Sequence, residues 1–180
     1  MSLRSKAALR YAQAFLTLTL ESGTEGRAAD DLALIARALA QSPELQAFTR
    51  DTLLPKEARC RALETLFLER VHPLTWKFLQ LLESKRRLVL LEAICSAFSQ
   101  LNDARRGIAR GELAAATPVP APAVDAMAAN FGLLLGKTVL LHTRELPSLL
   151  GGCRVQVGDI VYDFSLAARL RLAQQAFIGA

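Results

Sequence analysis

Residues 147–172, PSLLGGCRVQVGDIVYDFSLAARLRL, carry turn, strand and helix-start signals in immediate succession. Gly151 and Gly152 interrupt the apolar Leu149-Leu150 run and permit backbone conformations that a Cβ resists. They admit a strand over 153–157. Gly158-Asp159 marks a tight reversal, and the short acceptor side chain of Asp159 suits such a turn. A second strand follows over 160–164. Ser165 is then placed to cap a helix on which Leu166, Leu170, Ala173 and Phe177 recur at helical spacing. Asp163, just ahead of that cap, sets a carboxylate near the free N–H groups and positive dipole end of the helix. The stretch predicts a hairpin feeding a terminal helix, with Gly151, Gly152, Gly158, Asp159, Asp163, Ser165 and Leu170 in architectural roles.

Working back from the hairpin, Thr138 to Thr143 reads as a strand and residues 121–135 as a helix. The alternation from Ile108 to Thr117 predicts another strand, which Pro118, Pro120 and Pro122 terminate. Before Arg105-Arg106-Gly107 the pattern is helical throughout, broken at Ser22-Gly23, Ser42-Pro43, Leu54-Pro55 and His72-Pro73. Each Pro fits a first helical turn, where its missing N–H costs nothing. Six helices follow: 3–21, 28–41, 43–50, 55–70, 73–84 and 86–104. In the last, Leu91, Ile94, Phe98 and Leu101 form a core stripe. The fold class is α+β, an N-terminal six-helix bundle over 1–105 and a small C-terminal mixed β/α domain over 106–180.

With 180 residues, 52% of them hydrophobic, the chain can bury a core without disulfides or metal. Cys60, Cys95 and Cys153 lie isolated in apolar contexts and read as reduced core residues of a cytosolic protein. No apolar run reaches the ~18 residues of a membrane span, and the N-terminus lacks a cleavage site. The net charge of +5 invites a nucleic-acid reading. The cations are mostly scattered, however, and the aromatic residues, 6% of the chain, offer no stacking platform for bases.

Catalytic chemistry is hard to assemble. His72 and His142 have no second histidine at i+3 or i+4, so a metal site is not expected. Gly151-Gly152 lacks the Gly-Lys-Ser/Thr ending of a phosphate loop. Ser165, Asp163 and His142 do not resemble a nucleophile elbow. No catalytic, cofactor-binding or metal residue is assigned. More informative is a first helix apolar on two sides: Leu9, Ala12, Leu16 and Leu20 on one, Tyr11, Ala14, Phe15 and Leu18 on the other. The fifth helix repeats this, with Leu74, Phe78, Leu81 and Leu82 on one side and Trp76 and Leu79 on another. Central burial and a groove for an amphipathic helix both account for the pattern.

The run of small residue, Gly-Gly, alternating apolar residues, Gly-Asp, apolar-x-Asp-x-Ser and Leu-x-x-Arg-Leu resembles the signature of the delta subunit of F-type ATP synthases, the bacterial counterpart of the oligomycin-sensitivity-conferring protein. Arg10-Tyr11-Ala12-Gln13-Ala14-Phe15 is similar to that family's opening motif. Phe78-Leu79-Gln80-Leu81-Leu82 followed by Lys85-Arg86-Arg87-Leu88 is similar to its passage between the fifth and sixth helices. The resemblance implies a non-catalytic peripheral-stalk subunit on the cytoplasmic face of the bacterial plasma membrane, reaching the membrane only through the complex and needing no cofactor. It implies that Tyr11, Ala14, Phe15, Leu18, Phe78 and Leu82 receive the N-terminal helix of an alpha subunit, and that the C-terminal domain receives the C-termini of the b subunits, with no nucleic acid bound. The alternatives are an RNA- or ribosome-associated protein contacting phosphates through Arg86, Arg87, Arg105 and Arg106, and a hydrolase dependent on Ser165.

Overall fold

A polar cap followed by proline starts a helix at two points, and the first half of the chain is built of helices. In the computed structural model, which describes residues 3–51 and 54–170, these are α1 (Leu3–Glu21), α2 (Glu25–Gln41), α3 (Pro43–Arg50), α4 (Lys56–Phe67), α5 (Pro73–Ser84) and α6 (Leu91–Arg105). At the start of α3 the Leu45 N–H donates to Ser42 Oγ at 3.1 Å, and at the start of α5 the Leu74 N–H donates to His72 Nδ1 at 3.3 Å. Each cap is followed by a proline, so the orphan donors of the first turn are satisfied or absent.

Three helices depart from expectation: α4 stops at Phe67 rather than 70, where the Phe67 carbonyl accepts from the Arg70 and Val71 N–H groups. α2 begins at Glu25, because the Thr24 carbonyl already accepts from Ala28 and turns the chain before the apolar periodicity starts. The segment expected as one helix over 86–104 is a 3-10 turn, Leu88–Leu90, followed by α6. Arg86 closes α5 in a left-handed conformation, φ +54°, and the Arg87 N–H reaches back to the Leu82 carbonyl at 2.7 Å. That is a helix-ending geometry, so a new helix has to nucleate afterwards.

The chain divides into two compact units, Met1–Asn102 and Asp103–Ala180. In the first, one apolar core gathers Ala8, Ala12 and Phe15 of α1, Leu32, Ile35 and Leu39 of α2, Leu63 and Phe67 of α4, Leu79 and Leu82 of α5, and Leu91, Ile94 and Phe98 of α6. α3 joins it through Leu45 and Phe48, which are only partly covered.

The second unit contains β1 (Ile108–Ala115), α7 (Ala121–Leu135), β2 (Thr138–Glu145), β3 (Cys153–Val157) and β4 (Ile160–Asp163). They form a four-stranded sheet in the order β2-β1-β3-β4. β1 and β2 are parallel, in register from Ile108↔Thr138 to Ala115↔Glu145, as a crossover through α7 requires. β3 runs antiparallel to β1 and to β4. Leu113, Val139, Val155 and Val157 form its core, against Val124, Met127, Phe131 and Leu135 of α7. Gly111 permits the close approach of β3: a Cβ there would stand 2.6 Å from the Gln156 carbonyl oxygen. Residues 166–170 are helical; Ala173 and Phe177 lie outside the described residues.

Candidate functional site

Tyr11, Ala14, Phe15 and Leu18 lie on α1, and Phe78 and Leu82 on α5. The structure does not give them one environment. Phe15 is 1% exposed, and Phe78 and Leu82 are also buried. The rings of Phe15 and Phe78 stack at 4.2 Å and 17°, and Phe98 of α6 closes on Phe15 at 5.6 Å. This corrects the division of α1 into two apolar sides. Ala8, Ala12, Phe15 and Thr19 form a single buried stripe at i, i+4, i+7 and i+11, so Phe15 belongs with Ala12 rather than opposite it. Leu79, assigned to the second side of α5, is likewise fully buried.

The solvent-facing residues are fewer. Ala14 is exposed, Leu18 and Leu81 are each 45% exposed, and Tyr11, Leu74 and Trp76 are partly covered against the core. Leu18 lies one turn along α1 from Phe15, and Leu81 one turn along α5 from Phe78. Leu81 was legible as apolar, but its exposure follows only from the rotation of α5 about its axis.

α5 is held at both ends by polar contacts. At its start the Asp31 carboxylate of α2 accepts from the His72 N–H at 2.8 Å and from the buried Thr75 hydroxyl at 2.6 Å. At its end Glu83 faces Arg59 of α4, with Nε 3.0 Å from Oε1.

In the second unit the motif residues act as joints. Gly152 takes φ +75°, and a Cβ there would collide with the Phe164 carbonyl oxygen. Gly151 lies against Leu166, and Gly158 takes φ +61° in the two-residue turn between β3 and β4 that includes Asp159. Ser165 is fully buried, and its Oγ accepts from the Ala168 N–H at 3.1 Å, which is the expected helix cap. Asp163 accepts from the Ser165 N–H at 3.0 Å and from Arg154 at 2.7 Å. Hydrogen bonds from Ser165, side chain then backbone, followed by that from Arg154, hold the Asp163 carboxyl down at about 2. Leu170, and with it Phe164 and Leu166, is exposed. On α7, Leu133 is 85% exposed and Leu134 is also outward.

The Ser165 hydroxyl is engaged at a cap. Of the three cysteines only Cys95 is buried, where desolvation pushes its thiol up to about 12; Cys60 and Cys153 are partly covered rather than core residues. Among the described residues no group of three or more His, Cys, Asp or Glu side chains is placed to hold a metal ion, and no helix is long and apolar enough to cross a membrane.

Two cores, capped helices and outward apolar side chains are the features of a structural component. Comparison with known proteins gives the component a family. The family model of the ATP synthase delta (OSCP) subunit matches residues 7–177. ATP synthase subunit delta of Myxococcus xanthus is 35% identical over 166 residues, 91% of each chain. That of Symbiobacterium thermophilum is 31% identical over 173 residues, 96% of this chain and 93% of the relative. A chain in the cryo-EM structure of the Toxoplasma gondii mitochondrial ATP synthase hexamer superposes with a TM-score of 0.75 at 21% identity, covering 99% of this chain and 98% of that one, which shows the shared fold. The chain belongs to the ATP synthase delta (OSCP) subunit family.

Proposed function

We propose that this chain is a non-catalytic stator subunit, joining the catalytic head of a bacterial F-type ATP synthase to membrane-anchored b subunits at the cytoplasmic face of the plasma membrane. The N-terminal unit, acting as a six-helix bundle, takes the N-terminal helix of an alpha subunit against α1 and α5. The C-terminal unit takes the C-termini of the b subunits. The observation that carries the first assignment is that α1 leaves Ala14 and Leu18 exposed with Tyr11 half-covered, and α5 leaves Leu81 exposed with Leu74 half-covered, on two helices joined by the Phe15–Phe78 stack. Phe15, Phe78 and Leu82 support these side chains from beneath rather than touching the partner. The outward Leu133 and Leu134 of α7, with Ile160, Val161 and Phe164, support a second docking surface on the other unit.

Two separate interfaces on one chain suit a mechanical tie. One charge crossing 100 mV releases roughly 2.3 kcal/mol, and several cross for each ATP made, so a stator that slips dissipates the energy meant for synthesis. Two modest sites on one chain also raise the overall affinity through effective concentration.

Calorimetric titration of the full chain with a peptide of about 20 residues from the N-terminus of the same organism's alpha subunit tests the reading. Saturable binding with a negative heat-capacity change is expected. Tyr11→Asp and Ala14→Trp are expected to weaken it while b-subunit binding persists. Folded variants that bind the peptide normally would show the groove to be misplaced, and salt-sensitive retention of RNA without peptide binding would favour a nucleic-acid partner instead.

A further inference from the structure

Apolar packing alone leaves the rotation of a short helix loosely determined, because hydrophobic side chains of similar size tolerate exchange and slippage. α5 has 12 residues, and its apolar positions run most of the way round it, with Phe78, Leu79 and Leu82 inward and Leu81 outward. Which of these faces solvent is decided at the two ends. The first-turn contacts of His72 and Thr75 with Asp31 fix the start, and Glu83 against Arg59 fixes the finish.

The second contact is unusual in its energetics. The Arg59 and Glu83 side chains are 8% and 2% exposed. The Arg59 Nε–H does not point along the 3.0 Å line to Glu83, and no described residue donates a hydrogen bond to either Glu83 oxygen. Among the described residues the Arg59 side chain otherwise reaches the Asp51 carbonyl, at a long 3.4 Å. A buried ion pair so poorly supplied with hydrogen bonds recovers little of its desolvation cost and adds little stability over an apolar pair of similar volume. What it does supply is direction, since a carboxylate this deep has to face its cation.

We infer that Arg59 and Glu83 are positioning residues, which set the rotation of α5 so that Leu74 and Leu81 face the docking helix. The effect on binding rests on the α1–α5 groove proposed above; the effect on α5 does not. Trp76 separates the two, because it is the single tryptophan of the chain, lies on α5 and is half-covered against the core.

The experiment compares the full chain with R59M/E83L, which replaces the pair by apolar side chains, and with R59E/E83R, which reverses it. Urea unfolding, Trp76 emission and alpha-peptide titration are read on each. R59M/E83L is expected to unfold at a urea concentration equal to or above that of the parent, to shift its Trp76 emission, and to bind the peptide about tenfold or more weakly. R59E/E83R is expected to recover both emission and affinity toward the parent values. R59M/E83L with parental emission and parental affinity would overturn the inference, and so would its failure to fold, because the pair would then be a stability element. If the parent chain itself binds no peptide, the groove is wrong, and the Trp76 emission of the two variants still decides whether the pair orients α5.

Discussion

Replacing Phe15 by Ala decides between two roles for one residue. As an anchor for a partner helix, Phe15 would contribute to binding and little to folding. In the structure it is 1% exposed, stacked on Phe78 at 4.2 Å and flanked by Phe98 at 5.6 Å. Truncation there removes a buried ring and leaves a cavity between α1, α5 and α6, which costs roughly 3–5 kcal/mol. Part of that cost is the aromatic contacts, worth about 0.5–1.5 kcal/mol beyond area burial. With a urea slope of about 2 kcal/mol/M, the midpoint of the helical unit falls by about 1.5–2.5 M. Leu18→Ala, one turn away and 45% exposed, is the matched control. Its midpoint is expected to move little, because surface truncations rarely exceed about 0.5 kcal/mol, while alpha-peptide affinity falls. Urea titrations followed by circular dichroism and by Trp76 fluorescence give both midpoints. A loss below about 1 kcal/mol for Phe15→Ala, together with abolished peptide binding, would refute the core assignment and restore Phe15 as a surface anchor.

The second unit and the cysteines supply further tests. Gly152→Ala combines a left-handed φ, about 1–2 kcal/mol for an L-residue, with a collision at the Phe164 carbonyl, so the C-terminal transition should fall by at least about 2 kcal/mol in a thermal or urea melt. Asp163 has its pKa lowered from 3.8 to about 2, so the stability it contributes is present above about pH 4 and lost as pH falls through about 2. Melts of the parent and of Asp163→Asn should therefore differ at neutral pH and converge at the acid end; a difference independent of pH would rule out the carboxylate as the cause. Cys95, pushed up to about 12 by burial, should resist maleimide at pH 8 in the native chain and react once urea unfolds it.

The helix and turn boundaries were legible where chemistry punctuates the chain. α3, α5, α7 and β3 begin, and α1, α7 and β3 end, where Pro, Ser, His and Gly place them, and the Ser165 cap and the Gly158-Asp159 turn formed as the residues dictate. Boundaries set by tertiary contacts were not legible. β2 extends to Glu145 because β1 offers a parallel partner along its whole length, and the residues just before α6 are diverted into a 3-10 turn by the left-handed Arg86. The same limit applies to the candidate site. Composition and spacing identified α1 and α5 as carrying more apolar surface than a single face, but not which residues stay wet. Phe15, Phe78 and Leu82 turned inward, and Leu81 turned outward. The polar partners Asp31, Arg59 and Glu83 had no local signal at all, because each meets its counterpart on another helix.

Surplus apolar surface is where the fold and the function of this family make contact. A helix serving only its own core needs one apolar stripe. α1 and α5 carry that stripe and then leave Leu18 and Leu81 in water, while α7 leaves Leu133 and Leu134 there. Each such side chain gives up burial that would stabilise the isolated chain, and under the docking proposed above recovers it against a partner. A chain with the stator role proposed above has reason to divide its apolar surface in this way, since affinity for its partners resists slip and internal stability does not. The polar contacts that hold α5 in place belong to the same division, because an exposed strip is useful only if the helix bearing it cannot roll.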